Sequence, residues 1–187
     1  MNLLLLYRDK TISENTMAQS DVFNFFSKSA AKPPGKGSHE IGDPSNYPGL
    51  SLDFRRTLSN FHIAPFTCGG RTYKSIEHYF HATKVALVDP EYAYKFCVES
   101  GDVIGLCEEG MKVKIWGGKK HVKLDDQQRN IWATMRYSAM KEAALAKYEQ
   151  NEDYAKVLRA TGNAELWHRG PRIAPERFFH LEEIRLL

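Results

Sequence analysis

Glu77 and Lys84 are the residues whose types and spacing first suggest chemistry. They stand in SIEHYFHATK, Ser75 to Lys84, with His81 between them. At about 100° per residue, Glu77, His81 and Lys84 share a ~60° sector of a helix. An acid and an amine two turns apart on one face can hold each other, face a ligand, or form a solvated charge row with a weak i,i+4 contact. Ile76, Phe80, Thr83 and Leu87 occupy a neighbouring ~60° sector and are expected to form the core stripe. The polar three then sit at the lip of that core.

A second helix carries a charge in an unexpected place. In DDQQRNIWATMRYSAMKEAALAKYEQ, the apolar arc holds Trp132, Met135, Ala139, Met140, Ala143 and Ala146, and Arg136 falls inside it. A buried guanidinium is costly unless paired. Arg136 is therefore expected either to pair with a carboxylate such as Glu77 or to await an anionic ligand. Trp132 suits either core packing or stacking on a ligand. GGKK, Gly117 to Lys120, reads as a turn whose bare amides and cations suit phosphate, although it matches no phosphate-loop pattern. His78 and His81 are three apart, but this is neither H-E-x-x-H nor a Cys/His zinc spacing, and no metal is expected. No G-x-S-x-G or Walker motif is present.

These residues need a scaffold, and the bulk properties bound it. A chain of 187 residues is expected to form one domain that buries roughly 70% of its unfolded surface. Apolar residues make up 42% and aromatics 12%, which points to a folded globule. The net charge of +3 lacks the dense positive stripe of a dedicated DNA binder. Cys68, Cys97 and Cys107 are odd in number and form no C-x-x-C, so reduced thiols in a cytoplasmic or nuclear, intracellular setting are expected. The N-terminal MNLLLLYRDK lacks the marks of a signal peptide, and no apolar run is long enough to span a membrane.

Residues 1–20 read as a polar, disordered extension and 21–187 as the domain. DVFNFFSK reads as a strand, and Lys32 to Gly49, rich in Pro, Gly and Ser, as a loop long enough to suggest a function. FHIAPFTCGGRTY predicts a hairpin turning at Gly69-Gly70. Ser75 is expected to cap the next helix, Asp89-Pro90 to open another, and Gly101 to Lys123 to hold a short helix and then a Gly-Gly turn. The long helix spans roughly Asp125 to Gln150, and a shorter one ends at Gly162. PERFFHLEEIRLL fits helix or strand.

The order of the blocks carries a resemblance. LSNFHIAPF, the hairpin and SIEHYFHATK resemble the opening of the NADAR, or YbiA-like, superfamily: L-S-N-F, then S-x-E-H-Y-F-x-A-x-K. WATMRYSAMKEAALAKYEQN resembles its second block, with Lys147-Tyr148 in place of Lys-Phe, and LRATGNAELWH its third. The ending, RGPRIAPERFFHLEEIRLL, departs from the W-G-x-G loop of many bacterial members. It is similar instead to the shorter branch, found beside ADP-ribosylating toxins and in eukaryotes and viruses.

The resemblance implies an α+β fold, mostly helical with a small β-sheet, and hydrolysis of an N-glycosidic bond without a cofactor. For the shorter branch it implies removal of ADP-ribose from guanine in nucleic acid, in company with an ADP-ribosyltransferase. The alternatives are a hydrolase of ribosylamino-pyrimidine phosphates of riboflavin synthesis and a non-catalytic ADP-ribose sensor. Carried onto this chain, the catalytic residues are Glu77, to stabilise an oxocarbenium-like sugar or activate water, and Lys84, to form a Schiff base with the opened ribose or to bind a hydroxyl. Arg136, Lys119 and the Gly117-Gly118 turn are expected at the pyrophosphate. Trp132 and Tyr79 are expected against a ring, and Asn60 and Phe61 at the sugar beside Glu77.

Overall fold

The computed structural model describes residues 20–171 and 173–187. The expected extension thus lies outside the described residues apart from Ser20. Two sheets and seven α-helices are found among the described residues, in an α+β arrangement. Strand β1 (Val22–Phe25) pairs in parallel with β4 (Glu165–His168), and β5 (Glu176–Arg177) adds antiparallel to β4. The hairpin β2 (Phe66–Cys68) and β3 (Arg71–Tyr73) forms the second sheet. Its turn falls on Gly69 and Gly70, with φ of 58° and 74°, the left-handed pair that a tight two-residue turn requires.

The helices begin where the caps predict. Helix α3 (Pro90–Tyr94) starts at proline after Asp89, whose carboxylate accepts from Tyr92 N at 2.9 Å. Helix α5 (Asp126–Gln150) opens on a reciprocal box: Gln128 N donates to Asp125 Oδ1 at 2.8 Å, and Asp125 N donates to Gln128 Oε1 at 2.9 Å. Ser75 precedes α2 (Ile76–Val85), but its hydroxyl bonds His78 Nδ1 at 2.7 Å instead of a backbone amide. The ambiguous C-terminal segment becomes β5 and then helix α7 (Phe179–Ile184), which turns His180, Leu181 and Ile184 inward. Glu182 lies inside α7. Its carboxylate accepts from Leu166 N at 2.9 Å and from Arg177 Nε at 2.9 Å, which ties the helix to the sheet.

Helix α2 packs against α5 on one side and against α3 and α4 (Gly110–Trp116) on the other. That placement overturns the expected core stripe. Of that stripe only Ile76 is fully buried; Phe80, Thr83 and Leu87 are half-buried, and the inward face runs through His78, His81, Ala82 and Val85. A helix with neighbours on several sides buries most of its circumference, so Glu77 and His81 lie inside the molecule and not at a lip.

Candidate active site

The site is built on the first two turns of α2. Glu77 is buried, and its backbone N–H donates to Asn60 O at 3.1 Å, which fixes the loop after α1 (Phe54–Leu58) to the helix start. Its Oε1 lies 3.0 Å from His81 Nε2, one turn on, while Oε2 makes no hydrogen bond with a described residue. The His81 Nε2–H donates to the carboxylate, leaving Nδ1 buried and without a partner. Lys84 completes the row. Burial holds its amine below the ordinary lysine range; Glu77 opposes that effect and Lys114 on α4 adds to it. No carboxylate of a described residue pairs with Lys84, so its amine is not locked in an ion pair.

Asn60, whose carbonyl receives the Glu77 amide, and Phe61 stand beside this row. Asn60 Nδ2 contacts Met140 Sδ at 2.9 Å, and its Oδ1 is buried with no hydrogen-bond partner among the described residues. Phe61 packs over Gly110, where an added Cβ would come within 2.7 Å of it. Gly117 is also at the site, but not through its amide. Its N–H donates to Val113 O and that of Gly118 to Ile115 O, both at 3.0 Å, closing the end of α4. These amides are therefore not free for phosphate. What the site needs from Gly117 is its missing side chain, because a Cβ there would stand 2.2 Å from His81 Nδ1. Lys119 is exposed.

The expected burial of Arg136 is corrected, and Tyr79 and Trp132 are placed in packing contacts. Arg136 is exposed and pairs with no carboxylate of a described residue. Burial along α5 begins only at Ala139, so the turn that carries Arg136 lies where solvent still reaches the helix, and Glu77 holds His81 instead. Tyr79 is some 200° from Glu77 around the helix. Its hydroxyl donates to Glu142 Oε2 at 2.6 Å and its ring packs on Tyr73, so it joins α2 to α5 and the hairpin. Trp132 meets Phe80 edge-on at 4.8 Å and packs as a partly buried aromatic.

Other residues come to the site from distant segments. His168, at the end of β4, has its pKa lowered by burial; Glu176 opposes that effect, and Lys114 and Glu77 contribute more weakly. Lys114 also lies 5.9 Å from the Phe61 ring centroid. Neither residue carries a local signal, since only the fold brings β4 and α4 to α2. Lys147 is fully buried, and its Nζ donates to Thr57 O at 3.0 Å, at the root of the loop that carries Asn60 and Phe61. Its position among Ala143, Ala144 and Tyr148 was visible as a charge on a buried face. Among the described residues no group of three His, Cys, Asp or Glu is arranged to hold a metal ion. No helix among them is long and apolar enough to cross a membrane.

No curated protein sequence matches the chain. Its fold is similar to the NMR structure of the E. coli protein YbiA, with a TM-score of 0.58 and 22% identity, over 90% of this chain and 84% of that one. A family model, the NADAR domain, matches residues 52–172, which contain Asn60, Glu77, His81, Lys84, Lys114, Lys147 and His168. The chain belongs to the NADAR family.

Proposed function

We propose that this protein hydrolyses the N-glycosidic bond between ADP-ribose and a guanine base in nucleic acid. NADAR membership suggests an N-glycosidase kind of hydrolase. The observation that best supports the reading is the α2 row itself: a buried carboxylate oriented through one oxygen by His81, with an amine lowered by burial one turn beyond. Breaking a glycosidic C–N bond leaves the electron pair on the departing nitrogen, which takes up a proton, and builds positive charge on the sugar. Glu77, with Oε2 unengaged, offers negative charge to that sugar. Asn60 Oδ1, buried and unpartnered, is an acceptor for a sugar hydroxyl.

Lys84 supplies the covalent step. As a free amine it attacks the anomeric carbon as the C–N bond to guanine breaks and the departing nitrogen takes up a proton. The lysine nitrogen gives up its proton, the ring opens to an imine with the ring oxygen protonated, and water then adds to the imine carbon to release the sugar and regenerate the lysine. An amine held below the ordinary lysine range is more often neutral at physiological pH, which that attack requires. Lys114 and His168 border the row and suit the anionic part of the substrate. Such a substrate implies an ADP-ribosyltransferase acting upstream.

The test is release of ADP-ribose from a guanine-ADP-ribosylated oligonucleotide by the wild type, Glu77→Gln and Lys84→Arg. Release by the wild type alone, with a borohydride-trapped adduct on Lys84, is the expected outcome. Release undiminished in Glu77→Gln would remove Glu77 from the chemistry. No release by the wild type would overturn the substrate, and ribosylamino-pyrimidine phosphates would be tested next.

A further inference from the structure

The long loop between β1 and α1 has no part in the α2 row, yet it is firmly built. Glu40, with its side chain wholly buried, accepts from Asn24 N at 3.0 Å, Gly37 N at 2.8 Å and Arg55 Nε at 2.6 Å. Arg55 in turn donates to Lys32 O at 2.6 Å and Pro33 O at 2.9 Å. Asn24 Nδ2 donates to Ser38 O and His39 O. Gly35 lies so close to the returning chain that a Cβ would stand 2.1 Å from Gly42 O. The loop is thus a preformed wall.

That wall encloses a cavity of about 450 Å³ at the C-terminal ends of the parallel strands β1 and β4. Lys28, Lys32, His39 and Arg169 line it. The segment from Phe26 to His39 contains no carboxylate, and the nearby Glu40 is neutralised by Arg55. Lys28, Lys32 and Arg169 pair with no carboxylate of a described residue. Arg169 Nε donates to Asn24 Oδ1 at 3.3 Å, which aims the guanidinium while leaving its other donors available. His168 and Arg169 are consecutive, and successive residues of an extended chain point to opposite faces. The His168 ring stacks on Phe178 at 5.1 Å, while Arg169 lines this cavity.

We propose that this cavity, at the ends of β1 and β4 and lined by no residue of the α2 row, is a phosphate-binding site. A positively charged concavity with a fixed guanidinium favours phosphate over carboxylate-poor neutral ligands. The phosphate has two possible sources, the diphosphate of an ADP-ribosyl group or a phosphodiester of the adjoining strand. This choice of sources rests on the function proposed above; the anion site does not.

The experiment is an amide NMR titration of the full chain with inorganic pyrophosphate, then with ADP-ribose and with an unmodified single-stranded oligonucleotide. Pyrophosphate is expected to shift the amides of Gly37, Ser38, Arg169 and Gly170 in the wild type. Binding should weaken at least about tenfold in Lys32→Gln/Arg169→Gln, since each lost charged contact is worth about a decade. Lys28→Gln/Lys32→Gln, which alters only exposed side chains, should weaken it in the same sense, and Lys156→Gln on α6 (Glu152–Arg159) should not. ADP-ribose acting on these amides identifies the diphosphate as the source, and the oligonucleotide alone acting on them identifies the phosphodiester; either supports the site. Shifts confined to Gly110 to Lys123, or unchanged in both double variants, overturn it. Binding here without ADP-ribose release would leave the cavity standing and remove only the proposed reaction.

Discussion

Replacing Lys147 with methionine should make the protein more stable at neutral pH and remove a specific pH dependence. The Lys147 side chain has no exposed surface, and its one hydrogen bond goes to the Thr57 carbonyl. Its amine lies 5.0 Å from the Tyr148 ring centroid and 5.8 Å from that of Tyr154, and its charge is felt by His62. No carboxylate of a described residue pairs with it, and burial lowers its pKa from 10.5 to about 7. Between these two values the folded chain binds fewer protons than the unfolded chain, so stability rises with pH across that window. At about 1.36 kcal/mol per unit, burial costs roughly 4 kcal/mol at pH 7 and roughly 2 kcal/mol at pH 9. Methionine fills a similar volume and loses only the Thr57 bond, worth about 1 kcal/mol. Lys147→Met should therefore exceed the wild type by about 3 kcal/mol at pH 7 and by about 1 kcal/mol at pH 9. Urea unfolding of both proteins at pH 7, 8 and 9 reads this directly. Parallel stability curves would mean that the amine titrates alike in the folded and unfolded chains, and the burial argument would be wrong.

Three further outcomes follow from single contacts. Tyr148→Phe removes a buried hydroxyl with no partner and should stabilise the protein by about 1 kcal/mol in thermal or urea unfolding. Gly117→Ala places a Cβ against His81 Nδ1; it should cost about 1–3 kcal/mol of stability and lower kcat by turning His81 away from Glu77, measured on the ADP-ribosylated oligonucleotide. Glu40→Gln leaves the Arg55 guanidinium buried without its counter-charge and should cost about 3–5 kcal/mol, with faster hydrogen exchange at the Gly37 amide.

Local signals in this chain were read correctly where the physics is local. Asp125 and Gln128 close a capping box within four residues, Gly69-Gly70 supply a turn that other residues strain to form, and Pro90 starts a helix that needs no amide there. The shared face of Glu77, His81 and Lys84 was legible for the same reason, since helical period alone sets which side chains are neighbours, whereas the α+β class came from the family resemblance of the ordered blocks.

Which face of each helix meets the core was not local, and there the sequence misleads. Phe80 and Leu87 are apolar, yet α2 turns His78 and His81 inward, because its neighbours α3, α4 and α5 lie where the topology puts them. Arg136 belongs to an apolar arc, yet it is exposed, because α5 has no fully buried residue before Ala139. Strand β4 shows the same dependence. Its parallel pairing with β1, across more than a hundred residues, is what brings His168 toward Glu77 and Arg169 to the cavity beneath the loop. The sequence by itself therefore determined the elements, their caps and the acid–amine row. Only the tertiary structure decided which groups are dry, which are paired, and which strand ends meet, because burial and pairing depend on residues far apart along the chain.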